Sequence, residues 1–378
     1  MHPNCMLQAG DPKDPQRWLS FGRPVETIST WRLDEVRSLL QLVNQRARQE
    51  SLTAVGYVSY GACAAFDRAM QVSASKPFPL LWFALFDENN CSDIRPNFES
   101  RLSIEPNWKP NLARDEYDTN IARIREHIGR GDTYQVNYSY QLKAAFSGSA
   151  TDLFCSLNYD NHSRFGAFID TGRFAICSAS PELFFDYQAS SRRLISRPMK
   201  GTIHRGNTDA EDTANAAWLR TSDKNRAENL MIVDMIRNDM SRLSERSSVH
   251  VRDLFALEKY PTLWTMTSTV ESTLHPEHDV SDIFAAMFPC ASVTGAPKIN
   301  TMQIIDQIER VPRDIYCGAI GAIHPNGDAR FNVAIRTAMV DRELDEARYW
   351  VGGGIVWDSE AVSEWQETQT KAKILSLQ

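Results

Sequence analysis

The order of apolar and polar residues predicts short β-strands and helices along most of the chain. Apolar residues recur at helical spacing at Tyr117, Ile121, Ile124 and Ile128. The next segment, QVNYSYQL at 135–142, alternates apolar and polar residues instead. This alternation predicts a strand with one apolar face and one face rich in amide side chains.

Two hairpins are also predicted, with turns near Thr171–Gly172 and at Asn326–Gly327. Helical patterns cover residues 32–50, 297–311 and 359–378. Hairpins mixed with helices favour an α+β fold in which antiparallel sheets pack with helices, rather than repeated βαβ units.

The segment EPNWKPNLARDE, at 105–116, is polar and contains two prolines. Such a composition is typical of a linker. We therefore predict an N-terminal region at 1–105 that is integrated with the core, and a catalytic domain at 106–378.

The amino-acid composition argues against some classes of function. The 378 residues carry a net charge of −7 and no basic run, which argues against nucleic acid or a membrane surface as the main partner. The seven cysteines are scattered without a C-x-x-C pair, as expected of reduced thiols. No apolar run is long enough to span a membrane or to act as a signal peptide, so we expect a cytoplasmic protein.

The helix predicted at 226–243 is apolar almost all round and should be buried. It nevertheless contains Glu228 and Asp234, and a buried carboxylate is costly unless it is paired, hydrogen-bonded or bound to a metal. Two interpretations remain open for each carboxylate. One is a metal ligand, and the other is a salt bridge to Arg226, Arg237 or Arg242.

The last predicted helix carries a second pair of carboxylates. Glu364 and Glu367 lie on one face, and Lys371 lies one turn further along. By itself this pattern is typical of a solvated helix face. Together with Glu228, the two glutamates could supply oxygen ligands for Mg²⁺, which commonly binds one or two carboxylates, water and an anionic substrate.

Two further features are suited to binding an anion. Gly352, Gly353 and Gly354 follow a strand, so their backbone amides could contact a ligand closely, although glycine runs also mark bends. Arg336 lies in an otherwise apolar strand and needs an anionic partner if it points inward.

Several motifs between Tyr117 and Lys373 together resemble the chorismate-utilising enzymes, which include anthranilate, aminodeoxychorismate, isochorismate and salicylate synthases. The motifs are, in chain order, GDTYQVN, SASPELF, RPMKGT, AENLMIVDMIRND, SVTGAPK, YCGAIG, VAIRTA, GGGIVWDS and EWQETQTKA. The resemblance implies the fold of anthranilate synthase component I and a substrate with two carboxylates, chorismate.

The resemblance also implies roles for individual residues. Glu228 and Glu367 would hold Mg²⁺, and Glu364 would assist through water. The metal would bind the ring carboxylate of chorismate. Gly201 and Thr202 would line the ring. The substrate's carboxylates would be positioned by Tyr316, Arg336, Gly352, Gly353, Gly354 and Lys371.

Two positions separate the reactions of the family. Isochorismate and salicylate formers carry a lysine base where this chain has Gln135, and an amide cannot deprotonate water. Anthranilate synthases carry alanine where this chain has Lys200, so the lysine resembles the aminodeoxychorismate-forming members. Thr265 replaces a histidine of anthranilate synthases, and Asn225 replaces an acidic residue common in the family.

The resemblance therefore implies amination of chorismate to 4-amino-4-deoxychorismate, for 4-aminobenzoate and folate biosynthesis. Lys200 would form a covalent adduct with the ring, and Glu182 would be the general acid. Because no cysteine lies in a G-x-C-x-G motif, ammonia is expected from a separate glutamine amidotransferase subunit. An anthranilate synthase with an unusual lysine, or a non-catalytic chorismate or tryptophan sensor, remains an alternative.

Overall fold

The computed structural model describes residues 4–9, 14, 16–70, 72–73, 76–96, 98, 105–159, 163–260 and 263–375. Over this part of the chain the fold is α+β, as the sequence predicts. Two large antiparallel sheets face each other, and helices cover their outer surfaces and ends.

The strands are numbered in chain order. They are β1 (Cys5–Gln8), β2 (Trp18–Phe21), β3 (Glu26–Thr30), β4 (Thr53–Val58), β5 (Leu81–Phe86), β6 (Cys91–Ile94), β7 (Lys109–Pro110), β8 (Gln135–Ala145), β9 (Ala167–Asp170), β10 (Phe174–Ser178), β11 (Leu183–Gln188), β12 (Arg193–Arg197), β13 (Met199–His204), β14 (His250–Lys259), β15 (Leu263–Thr273), β16 (Gly295–Ala296), β17 (Ala319–Ile323), β18 (Ala329–Val333), β19 (Thr337–Asp341) and β20 (Glu346–Ile355).

The α-helices are numbered in the same way. They are α1 (Leu33–Gln49), α2 (Arg114–Gly129), α3 (Ala150–Asn158), α4 (Asp209–Thr221), α5 (Asp223–Ser241), α6 (Val280–Met287), α7 (Lys298–Ile308) and α8 (Ala361–Ala372). Both predicted hairpins are confirmed, because β9 pairs with β10 and β17 pairs with β18.

All strand pairs in both sheets are antiparallel. The first sheet has the order β16-β8-β20-β19-β10-β9-β1-β2-β6, with β7 also paired to β8. The second has the order β13-β15-β12-β11-β18-β17-β4-β5-β3, with β14 also paired to β15. Strands that precede residue 105 thus extend both sheets, although the predicted division at that point stays a prediction.

The alternation of side chains along the first sheet fills two cores. Ile169 and Ile176 face the second sheet, whereas their neighbours Phe168 and Ala175 face the helices on the outer side. Aromatic rings fill the space between the second sheet and the helices that cover its outer face, and Phe284 on α6 lies at the centre of these rings. Because the first sheet is covered on both faces, the amide side chains of β8 are buried rather than exposed to solvent.

The prediction that the helix at 226–243 is buried all round is wrong. This helix, α5, packs one face against β15, β13 and α6, burying Ile232 and Val233 there. The opposite face reaches solvent, and Leu230 is 44% exposed. Asp234 lies on that face and forms the predicted type of salt bridge, 2.8 Å from Arg237.

No helix among the described residues is long and apolar enough to cross a membrane. All seven cysteines lie in described positions and are free thiols. Burial raises the pKa of each of them, so their thiolate forms are disfavoured.

The ring cluster around Phe284 generates a test of the core. Its ring centroid lies 5.0 Å from that of Phe331 and 5.4 Å from that of Phe185, and the side chain is fully buried. Phe284→Ala should lower the free energy of unfolding by about 3–5 kcal/mol, because it removes apolar area and leaves a cavity. Urea unfolding measures this loss, with Leu344→Ala, at a position 56% exposed, as the control expected to stay within about 0.5 kcal/mol of the parent. Equal losses for both variants would contradict the assignment of the core.

Candidate active site

A cavity of about 450 Å³ opens between β20, β13 and the helices α5 and α8. It brings together residues that are far apart in sequence. Of the site residues predicted from sequence, it is lined by Glu182, Lys200, Gly201, Thr202, Glu228, Tyr316, Arg336, Gly352, Gly354, Glu364, Glu367 and Lys371. Gln135 and Gly353 lie immediately behind this lining.

Glu182 is a buried carboxylic acid in the cavity wall, 3% exposed. The amide of Met199 lies 3.4 Å from its Oε1, and the Ser292 hydroxyl donates a hydrogen bond to it. Burial raises the pKa of Glu182 to about 7, against the opposing effects of these hydrogen bonds and of the Lys200 charge. Near neutral pH this group can therefore both donate and accept a proton.

Lys200 lies where the pairing of β13 with β15 is irregular. The register shifts between Met199 and Thr202, and Gly201 has a φ of 82°, a conformation that favours glycine. A Cβ atom on Gly201 would also lie 2.9 Å from Oδ1 of Asn225, while the Thr265 hydroxyl donates to the Gly201 carbonyl at 3.1 Å. The positive φ and the closeness of Asn225 thus favour glycine at position 201, next to the lysine.

Glycines let the Lys200 amine approach β20. A Cβ atom on Gly354 would lie 3.5 Å from Lys200 Nζ and 2.3 Å from Nε2 of Gln135. On Gly352 it would lie 2.2 Å from Oγ of Ser139. Side chains at these positions would therefore separate β20 from β8 or fill the cavity.

Three carboxylates from two helices meet on the opposite side of the cavity. Glu228 comes from α5, and Glu364 and Glu367 come from α8. A Cβ atom on Gly353 would lie 3.4 Å from Glu364 Oε2 and 3.6 Å from Glu367 Oε1, so both acids approach the glycine backbone. Lys371 Nζ lies 2.7 Å from Glu367 Oε1 and donates to the Gly352 carbonyl, also at 2.7 Å.

The charges of Lys200, Lys224 and Lys371 act on these carboxylates, but they do not outweigh burial at Glu228 and Glu364. Burial raises the pKa of Glu228 and of Glu364, and the negative charge of Glu367 raises both further. Lys371 holds the pKa of Glu367 below its usual range. Glu364 accepts a hydrogen bond from Ser359 at 2.6 Å, whereas Glu228 has no ion-pair or hydrogen-bond partner among the described residues.

The carboxylates fit a hard divalent cation, although the described residues contain no preformed group of three or more His, Cys, Asp or Glu ligands. Mg²⁺ does not require one, because it usually keeps several waters and shares its shell with an anionic ligand. The feature that makes the residues suitable is that Glu228, without a hydrogen-bond or ion-pair partner among the described residues, shares the cavity with Glu364 and Glu367.

Arg336 and Tyr316 form the remaining polar wall. Arg336 has a φ of 50° and no ion-pair partner among the described residues, and burial lowers the pKa of its guanidinium. The Tyr316 hydroxyl accepts a hydrogen bond from Ser139 at 3.2 Å, and its ring is stacked on Trp350. A guanidinium deep in a cavity without a carboxylate partner is suited to an anionic ligand.

Several residues that line the cavity are not among those predicted from the sequence. Lys224 lies four residues before Glu228 and therefore on the same helix face, which is a signal that could have identified it. Trp350 precedes Gly352 by two residues and so shares its side of the strand. Trp218 and Ser292 also line the cavity, but they come from segments whose positions depend on the tertiary fold.

The sequence matches a known family over almost its whole length. Residues 3–376 match the family described as chorismate binding enzyme. The chain is 37% identical over 271 residues to aminodeoxychorismate synthase component 1 of Escherichia coli K12, covering 71% of this chain and 59% of that protein. It is 35% identical over 270 residues to anthranilate synthase component 1 of Aquifex aeolicus, covering 71% and 54%. The chain thus aligns with little more than half the length of these relatives.

Solved structures show the same fold. Anthranilate synthase component I from Streptococcus pneumoniae superposes with a TM-score of 0.83 at 25% identity, covering 96% of this chain and 92% of that one. The menaquinone-specific isochorismate synthase MenF from Escherichia coli superposes with a TM-score of 0.77 at 18% identity, covering 100% and 88%. The family match, the shared architecture and a cavity suited to an anionic ligand lead to one conclusion: the chain belongs to the chorismate-binding enzyme family.

Proposed function

We propose that the protein is an aminodeoxychorismate synthase component I, which replaces the C4 hydroxyl of chorismate with an amino group and retains the enolpyruvyl ether. The observation that carries this proposal is that Lys200 shares one cavity with Glu182, a buried acid whose pKa is about 7. A nucleophile and an acid in one site suit a displacement in which hydroxide must be protonated to leave.

The first step forms a bond between Nζ of Lys200 and C2 of the ring. The two ring double bonds shift, the C4–O bond breaks, and Glu182 gives its proton to the departing oxygen, which leaves as water. In the second step, ammonia adds at C4, the double bonds shift back, and the bond from C2 to Lys200 breaks. The added nitrogen then loses one proton, which returns to the Glu182 carboxylate. Overall, chorismate and ammonia give 4-amino-4-deoxychorismate and water.

The substrate's two carboxylates have separate partners in this proposal. One carboxylate is bound by Arg336, with the Tyr316 hydroxyl and the backbone amides at 352–354 close by. The ring carboxylate lies towards Lys371 and the acidic side of the cavity. Gly201 and Thr202 line the ring, because their strand carries the attacking lysine.

Mg²⁺ is part of the proposal. Glu228 and Glu367 would hold it, and Glu364 would assist through water. The ion would supply positive charge that neutralises the ring carboxylate and these glutamates together.

Ammonia is proposed to come from a separate glutamine amidotransferase subunit. A glutaminase of the cysteine type needs an activated thiolate. Every cysteine of this chain has a raised pKa instead. Free ammonium should therefore serve as the nitrogen source in vitro.

Anthranilate synthase is the second candidate, because a relative and a solved structure with that name both match this chain. That reaction would place the nitrogen at C2 and release pyruvate, so the product distinguishes the two. A non-catalytic sensor is a weaker alternative, since it would not need Glu182 and Lys200 in one cavity.

Lys200→Ala tests the proposed reaction. The parent protein with chorismate, Mg²⁺ and ammonium should form 4-amino-4-deoxychorismate, and quenched samples should contain protein with the added mass of the dehydrated substrate. The variant should lose this adduct and should either stop or place nitrogen at C2. Mass spectrometry of protein and products measures both effects.

Lys224→Ala is the matched control, because it removes a different lysine that lines the cavity, on α5, and should keep the adduct. Formation of the C4 product by Lys200→Ala at the parent rate would end the nucleophile assignment. Anthranilate as the parent's product would instead support the second candidate.

Glu228→Gln and Glu367→Gln test the metal site. Each should weaken Mg²⁺ binding in the presence of chorismate at least tenfold, because a charged ligand is lost, and should lower turnover accordingly. Calorimetry gives the binding constant independently of turnover. Asp234→Asn, on the exposed face of the same helix, should leave both unchanged. Full turnover of the parent in EDTA would contradict this prediction.

The pKa of Glu182, raised to about 7, predicts the pH dependence of turnover. The acid must be protonated, so kcat/KM should fall about tenfold per pH unit above 7. Glu182→Gln should lower kcat by about 10²–10⁴ and remove this limb of the profile. A profile that stays flat to pH 9 would exclude Glu182 as the acid.

The same pKa predicts a change in stability. Because folding raises the pKa of Glu182 from 4.5 to about 7, stability is highest at low pH and is lost as the pH rises through that interval. The loss should be on the order of 3 kcal/mol and should be absent in Glu182→Gln, which urea unfolding at pH 5 and pH 8 would measure.

A further inference from the structure

The strand β8 has a gap along the edge that faces away from β20. On this side β16 pairs with Gln135 and Val136, and β7 pairs with Leu142 and Lys143. No described strand covers the residues between them. These residues nevertheless include Asn137 and Ser139, which lie beside the glycines of β20 in register.

A buried ion pair closes part of this gap. Glu309 Oε1 accepts a hydrogen bond from the Ser139 amide at 2.9 Å, and the guanidinium of Arg313 donates to the Asn137 carbonyl at 2.6 Å. Arg313 also binds both oxygens of Glu309, at 2.7 and 2.9 Å. The two side chains are 1% and 7% exposed, so the pair replaces the missing strand inside the protein.

The same guanidinium contacts other walls of the cavity. It donates to the Val293 carbonyl at 2.9 Å, and Val293 adjoins Ser292, the hydrogen-bond partner of Glu182. It also lies 5.8 Å from the ring centroid of Tyr316, close enough for a cation–π contact. On its other side it lies 4.8 Å from the ring of Tyr60, in the N-terminal region.

We propose that Arg313, held by Glu309, is a positioning residue for the chorismate site. It acts through three groups that line or support the cavity: the Tyr316 ring, the 292–293 segment and the edge of β8 behind Gly352. The inference rests on the proposed function only for the identity of the ligand, chorismate, and does not depend on which carbon is aminated.

Arg313→Lys is the informative change. Lysine keeps the positive charge, but a single ammonium cannot reproduce the planar set of bonds to one carboxylate and two carbonyls. The Tyr316 ring and the 292–293 segment should then shift. Such a shift should raise the Kd and KM for chorismate about 10- to 100-fold, with a smaller fall in kcat. Calorimetry with chorismate and steady-state kinetics measure the two effects separately.

Arg173→Lys is the matched control. Arg173 makes the same two-bond contact with a buried acid, Asp341, at 2.9 and 3.0 Å, but neither residue lines the cavity. This control should lose stability in urea without any change in the Kd for chorismate. If Arg313→Lys also loses only stability and keeps a Kd for chorismate within twofold of the parent, the proposal is overturned.

Two further variants keep the test decisive. If Arg313→Lys does not fold, Glu309→Gln replaces it, because this variant keeps an oxygen that can accept from the Ser139 amide. A Kd for chorismate raised at least tenfold would support the proposal, and a Kd within twofold of the parent would overturn it. A double variant with Tyr316→Ala should raise the Kd by less than the product of the single effects, since Arg313 acts partly through that ring. If the two substitutions raise the Kd independently, Arg313 does not act through the Tyr316 ring. Failure of the proposed amination would show as a different product with the Kd for chorismate intact.

Discussion

Charge that the chain does not fully compensate is the constraint on which the site depends. Glu228 has no partner among the described residues, Arg336 has no carboxylate beside it, and burial raises the pKa of Glu182 to about 7. Each group costs stability in the free protein, because a charge removed from water needs a counter-charge or hydrogen bonds. A cation and a substrate with two carboxylates would provide what these groups lack. The residues suited to bind the ligand therefore lower the stability of the free protein.

The backbone makes this arrangement possible at close range. Between β8 and β20 there is no room for a Cβ atom at Gly352 or Gly354, so the strand can lie directly under a ligand. At Gly201 the left-handed conformation disturbs the pairing of β13 with β15 next to Lys200. The same glycines that remove side chains from the cavity thus bring its lysine close to the opposite strand.

Support for these strands comes from residues that do not line the cavity. The pair of Glu309 and Arg313 supplies the hydrogen bonds that a neighbouring strand would give to β8, and it reaches Tyr60 in the N-terminal region. A buried ion pair seldom adds much to stability compared with apolar packing, but its geometry is specific. This explains why charged residues, rather than leucines, are placed beside a binding site.

Sequence alone determined the hairpins at Thr171–Gly172 and Asn326–Gly327, since turn chemistry and alternation are local properties. It also identified the residue types of the site through motifs, and paired Glu364 with Glu367 by helical spacing. Tertiary structure decided the rest. That α5 is buried on one face only, that Ser292 enters the cavity, and that Arg313 lies beneath Tyr316 all depend on contacts between distant segments. Local periodicity carries no information about such contacts, because packing partners are chosen only when the sheets close over the core.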